Sequence, residues 1–204
     1  MPNFPAPLLP LPCALDSPVA DGYPGSGAST AAETPKDACG VILPRRLQRT
    51  EQDADLAWQL VLAMNQALDE TRANCRLDEQ MLQKKVHHTI RFLRACSYSS
   101  HDIVVALAYT CAYFRRVMPP LMGVVSRSEA VHICILLIYL AHSFVLDENC
   151  PIRDWHRHIF RKYCSLKKMD AALFRVFSFL DFKLMISQEE EAKYLRMILQ
   201  KESL

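Results

Sequence analysis

From Val131 to Leu146 the chain runs sixteen residues without an Asp, Glu, Lys or Arg. Val131, Ile133, Cys134, Ile135, Leu136, Leu137, Ile138 and Leu140 would point to every side of a helix rather than along one stripe. A helix that is apolar all round has to be enclosed by other elements, so the rest of the chain must supply its neighbours. The stretch is shorter than the ~20 residues that cross a bilayer, contains His132 and His142, and is followed by Asp147 and Glu148. It reads as the buried, central helix of a folded domain, with no membrane partner expected.

The neighbours also read as helices. Beyond Thr50 glycine and proline almost vanish and apolar residues recur at intervals of three and four, the pattern of an all-α domain. Thr50 to Asp53, Ser99 to Asp102, Ser126 to Glu129 and Ser187 to Glu190 each pair a hydroxyl with a carboxylate three residues on, a combination that satisfies orphaned N–H groups at a helix start. They divide the chain into helices near 51–75, 78–96, 100–117, 127–145, 152–164, 168–182 and 188–201. Leu56, Leu60, Met64, Ala67 and Cys75 stripe the first, and Ile103, Leu107, Cys111, Phe114 and Met118 the third. Pro119-Pro120 is expected to end the third helix, and Pro151 suits a first helical turn, where a missing N–H does no harm.

Nine of twelve prolines and four of five glycines precede residue 45, so residues 1 to 48 are expected to form a disordered tail that buries too little apolar surface to offset its ordering entropy. Residues 49–98 then form N-terminal helices leading into a core at 99–187, and 188–204 a C-terminal helix. The start Met-Pro-Asn-Phe-Pro has no charged n-region, and prolines 5, 7, 10 and 12 interrupt any signal-like apolar run, which disfavours secretion. Eight cysteines without a C-x-x-C pair fit reduced thiols, and hence the cytoplasm, the nucleus or both.

Chemistry is sparse. With 24 basic and 22 acidic residues the net charge is +2, too small to argue for nucleic acid as a partner. The basic residues Arg153, Arg157, Arg161, Lys162, Lys167 and Lys168 read as a solvated face, and Glu189, Glu190 and Glu191 as the start of a helix whose dipole favours them. Cys150, His156, His158 and Cys164 form the best metal candidate. On an α-helix, however, His156 and His158 would project roughly 200° apart, so no metal or other cofactor is expected. His87 and His88 share the defect. There is no nucleophile elbow, phosphate-binding loop or zinc-protease motif, and Gly123 is the sole glycine beyond residue 40, so neither an enzyme nor a small-molecule substrate is indicated. What stands out is an aromatic surplus: Phe144, Trp155, Phe160, Phe174, Phe177, Phe179 and Phe182. Segment 168–182 holds more apolar residues than one face can bury, so it is either nearly central or partly exposed for a partner.

The stretch from Ser99 to Ser187 resembles a cyclin box, and within that family the single-box P/U-type (phosphate-pathway-like) cyclins. Ala112-Tyr113-Phe114-Arg115-Arg116-Val117 resembles the Tyr-Ile-Asp-Arg-Leu end of the second box helix, with Arg116 at the arginine and Arg115 replacing the aspartate. Val131-His132 and the close Ala141-His142-Ser143-Phe144-Val145-Leu146-Asp147 resemble the long apolar helix ending Ala-x-Lys-Phe-x-x-Asp. Asn149 and Trp155 fall where the family often has an asparagine and an aromatic. Leu180-Asp181-Phe182-Lys183-Leu184 resembles the close of the fifth helix.

The resemblance implies a single five-helix box with flanking N- and C-terminal helices. It also implies a regulatory subunit that binds a cyclin-dependent serine/threonine kinase and positions its C-helix, whose glutamate must pair with the ATP-positioning lysine. The implied contact residues are Ser143, Phe144, Leu173, Phe177, Phe182 and Leu184. Ser143 and Leu173 replace a lysine and a glutamate that most cyclins use to hydrogen-bond the kinase. That replacement leaves an alternative, a degenerate cyclin-box scaffold that binds a protein partner without activating a kinase.

Overall fold

A computed structural model describes residues 44–70, 77–121, 124–147 and 149–200. Helix makes up 80% of that region and no strand occurs among the described residues, so the domain is all-α. The helices are α1 (Pro44–Glu70), α2 (Glu79–Ala95), α3 (Ser100–Leu121), α4 (Arg127–Val145), α5 (Ile152–Trp155), a π-helix (His156–Phe160), α6 (Leu166–Phe179) and α7 (Gln188–Leu199). The expected tail up to residue 43, Cys75 and residues 201–204 lie outside the described residues.

Most starts follow from capping. Asp78 accepts from the Met81 amide to open α2, and Ser126 and Glu129 form a complete reciprocal capping box at α4. Ser165 and Ser187 cap α6 and α7. Thr50 is not a cap. Helix α1 already starts at Pro44, where a missing N–H is harmless, so Thr50 is interior and the helix extends into the segment assigned to the tail.

Helix α4 has the bounds the sequence indicated and is enclosed by α2, α3, α6 and, through Trp155, α5, while α3 packs on α1, α4, α6 and α7, so the two helices share the centre. Fourteen of the twenty-two residues of α3 are buried. The prolines fail to stop α3, which runs through Pro119 and Pro120 to Leu121. In the last turn a proline removes an N–H without having to bend a following turn, and burial of Val117, Met118 and Leu121 holds the backbone helical. By length and composition α4 could cross a membrane; here eleven of its nineteen residues are buried among the other helices.

The expected helix at 152–164 is instead one α-turn followed by a π-helix. Wider i→i+5 winding places Trp155 and Phe160 on one side, and Trp155, Ile159 and Phe160 are all buried. Trp155 is fully enclosed, with its ring against Phe92 (5.4 Å), Tyr139 (5.3 Å) and His142 (5.5 Å). It ties α2, α4 and α5 together. Asp53 of α1 is buried and takes its charge partner, Arg94, from α2 at 3.3 Å.

His142 is buried between Tyr98 (4.7 Å) and Trp155, and neither ring nitrogen has a hydrogen-bond partner among the described residues. Burial lowers its pKa to about 4. His132 is also lowered, first by burial and then by Lys85. The folded state therefore disfavours the imidazolium that the unfolded chain accepts near pH 6.5. Stability should be complete above that pH and fall as pH drops toward 4, by about 1.4 kcal/mol per pH unit for His142 within the window. Denaturant midpoints at pH 7.5, 5.5 and 4.5 measure this; His142→Phe should flatten the slope, and an equal slope in that variant would contradict the assignment.

Candidate partner-docking face

The aromatic surplus divides into an enclosed set and an exposed set. Trp155 and Phe160 are buried, while Phe144 is 40% exposed, Phe182 56% and Phe174 65%. Helix α6 buries only Met169 and Val176 among its own residues, so it lies on the surface and leaves part of its apolar side open. Phe174 and Phe177, three residues apart, share a face. Phe182 meets both, at 6.1 Å from Phe174 and 4.9 Å from Phe177. Met185, 74% exposed, follows in the same exit segment.

Phe182 is held there by the end of α6. Its N–H bonds to the Phe177 carbonyl and that of Asp181 to the Ser178 carbonyl. This is a Schellman closure, and the contact between Phe182 and Phe177 is the apolar pairing that accompanies one. The position normally taken by glycine is Asp181, with φ 49°, and Phe182 follows at φ 58°. Both side chains sit in left-handed backbone, which costs non-glycine residues roughly 1–2 kcal/mol each. Asp181→Gly should accordingly stabilise the chain by about 1 kcal/mol, measured as a rise in denaturant midpoint at unchanged slope. A lower midpoint would contradict that account of the turn.

Helix α3 fixes the segment that follows. Arg116 directs its guanidinium at the carbonyls of Lys183 (3.4 Å) and Met185 (3.5 Å) and pairs with Glu190 at 2.7 Å. The Tyr113 hydroxyl donates to the Leu184 carbonyl at 2.7 Å. Three successive carbonyls are thus held by two side chains one helical turn apart. Tyr113 also touches Tyr109 (6.1 Å), whose ring meets Phe144 of α4 (6.1 Å). Burial raises the Tyr109 and Tyr113 pKa values, so both hydroxyls stay protonated at neutral pH.

The six residues singled out by resemblance are not equivalent. Phe144 and Phe182 are exposed; Leu173, Phe177 and Leu184 are half-buried against the core. Ser143 is half-buried with its hydroxyl enclosed and without a hydrogen-bond partner among the described residues, while its carbonyl accepts from Asn149. The Leu184 carbonyl accepts from Tyr113 and the Ser143 carbonyl from Asn149, so the backbone at both positions is held in place. Phe174 and Met185 extend the exposed face. Phe174 was legible from its spacing to Phe177; Met185 carried no signal, because its exposure follows from the pinned exit of α6.

The metal candidate comes apart. His156 Nε2 lies 2.7 Å from the Cys164 carbonyl, the His158 ring stacks on Phe92 at 5.3 Å, and Cys150 lies beside Cys96. Among the described residues no group of three or more His, Cys, Asp or Glu is placed to hold a metal ion. Compared with protein-family models, curated proteins and solved structures, the chain matches none.

Proposed function

We propose that the chain is a cyclin-like regulatory subunit that binds a cyclin-dependent serine/threonine kinase through the aromatic face of α4, α6 and the segment leaving α6. The observation carrying this reading is the exposure of Phe144, Phe174 and Phe182 on a surface whose backbone is anchored from α3. Exposed aromatic rings on an otherwise packed domain support an interaction site, and aromatic anchors dominate the energetics of such contacts. Positioning the kinase's own C-helix is how a subunit without catalytic groups can switch phosphoryl transfer.

A second reading, a scaffold that docks a protein without activating a kinase, is favoured by Ser143 and Leu173. Neither position offers a charge or an exposed hydrogen-bonding group to fix a partner's orientation. The test is affinity purification of the full-length chain, scored for a stoichiometric serine/threonine kinase and for its activity with and without the chain. Stimulated activity supports the regulatory subunit, and a bound but unstimulated kinase supports the scaffold. A stoichiometric partner that is not a kinase would overturn the first reading.

A further inference from the structure

The sulfurs of Cys96 and Cys150 lie 3.9 Å apart, 54 residues apart in sequence, and both residues are half-buried. Cys96 is the C-cap of α2, and Ser97 behind it has φ 68°, so the chain turns sharply at that point. Cys150 lies in the loop after α4, next to Asn149, which bonds the Ser143 carbonyl. Tyr98, two residues past Cys96, packs on His142. The two thiols thus face each other where α2 ends and α4 is held.

We propose that Cys96 and Cys150 form a reversible dithiol site that a peroxide oxidises to an intramolecular disulfide, clipping the end of α2 to the loop after α4. A disulfide needs the sulfurs at about 2.05 Å, so closure asks for roughly 2 Å of approach, within the reach of side-chain rotation and a small loop shift. In the first step the Cys96 sulfur attacks one peroxide oxygen and the O–O bond breaks. The thiol proton leaves with the departing oxygen as water, and Cys96 becomes a sulfenic acid. In the second step the Cys150 sulfur attacks that of Cys96; the S–S bond forms, the S–O bond breaks, and a second water carries away the Cys150 proton. Two thiols are oxidised by two electrons and one hydrogen peroxide is reduced to two waters. A small-molecule thiol reverses the reaction by exchange.

With the two sulfurs 3.9 Å apart, whichever is oxidised first meets the other as its resolving partner, and the steps are written with Cys96 first. Burial and the neighbouring Cys96 push the Cys150 thiol up. Cys111 and Cys134 are fully enclosed between α3 and α4, where burial raises both thiols and peroxide does not reach them.

The test uses the full-length chain, reduced, desalted and treated with a small excess of hydrogen peroxide, then quenched and unfolded in guanidinium so that all remaining thiols are capped by iodoacetamide. Capped thiols should fall from eight to six. Non-reducing peptide mapping should recover one linked pair, Cys96 with Cys150, which dithiothreitol releases. In Cys150→Ser and in Cys96→Ser no linked pair should be recovered, and the Cys96 sulfenic acid left without its resolving partner in Cys150→Ser should be trapped by dimedone. Both cysteines still fully capped in the wild type would overturn the proposal. So would linkage of either to Cys13, Cys39, Cys75 or a second chain.

Discussion

Trp155→Ala should destabilise the chain by about 3–5 kcal/mol, the cost of removing a fully enclosed aromatic from a core that collapses only in part. The ring fills the junction of α2, α4 and α5, against Phe92, Tyr139 and His142, and no solvent-facing edge offsets the loss. Because Trp155 sits where α-winding gives way to the π-helix, its removal also releases the i→i+5 register that brings Phe160 inward. The melting temperature should fall by roughly 10 °C or more, and Trp155→Phe should recover most of the loss. A fall of less than a few degrees in Trp155→Ala would show that the junction does not hold those helices together.

The second large effect concerns binding, with stability as its control. On the proposed docking, Phe144→Glu combined with Phe182→Glu should weaken kinase binding at least a hundredfold, about 3 kcal/mol, since each change would remove an aromatic anchor and place an unpaired carboxylate in the desolvated contact. Both rings are substantially exposed in the isolated chain. The double variant should therefore fold, with a stability loss below about 1.5 kcal/mol, most of it from the Phe182 contact with Phe177. Titration of the purified kinase measures the first quantity and a denaturant midpoint the second. If these rings were core, the pattern would invert, with loss of several kcal/mol and of soluble expression.

The parts of the fold that were legible are those in which one local rule acts alone. Helix α4 starts at Ser126 because hydroxyl and carboxylate are spaced for a reciprocal cap, and its all-round apolar surface required enclosure. Where two rules compete, the sequence misleads. Proline should end α3, but burial of Val117, Met118 and Leu121 outweighs two lost N–H groups in a terminal turn. Thr50 has the spacing of a cap, but Pro44 opens the helix earlier. The π-helix leaves no mark in a pattern read at 3.6 residues per turn.

At the candidate site, periodicity showed that α6 carries too many apolar residues for one buried face. It did not show which of them lack a neighbour, because that depends on where α3 and α4 lie. The turn after α6 was hidden as well. Its left-handed position holds Asp181 rather than the glycine that would have signalled it. The anchoring of Lys183, Leu184 and Met185 by Tyr113 and Arg116 spans some seventy residues of sequence and follows from tertiary packing.

The central proposal, that this aromatic face docks a kinase, is tested most directly by amide hydrogen exchange on the full-length chain with and without a kinase that co-purifies with it. Exchange should slow at Ser143–Val145 and across Leu173–Met185, with α1 and α7 unchanged. Slowing confined to α1, α2 or α7, with the Phe144 and Phe174–Phe182 segments exchanging as in the free chain, would contradict it.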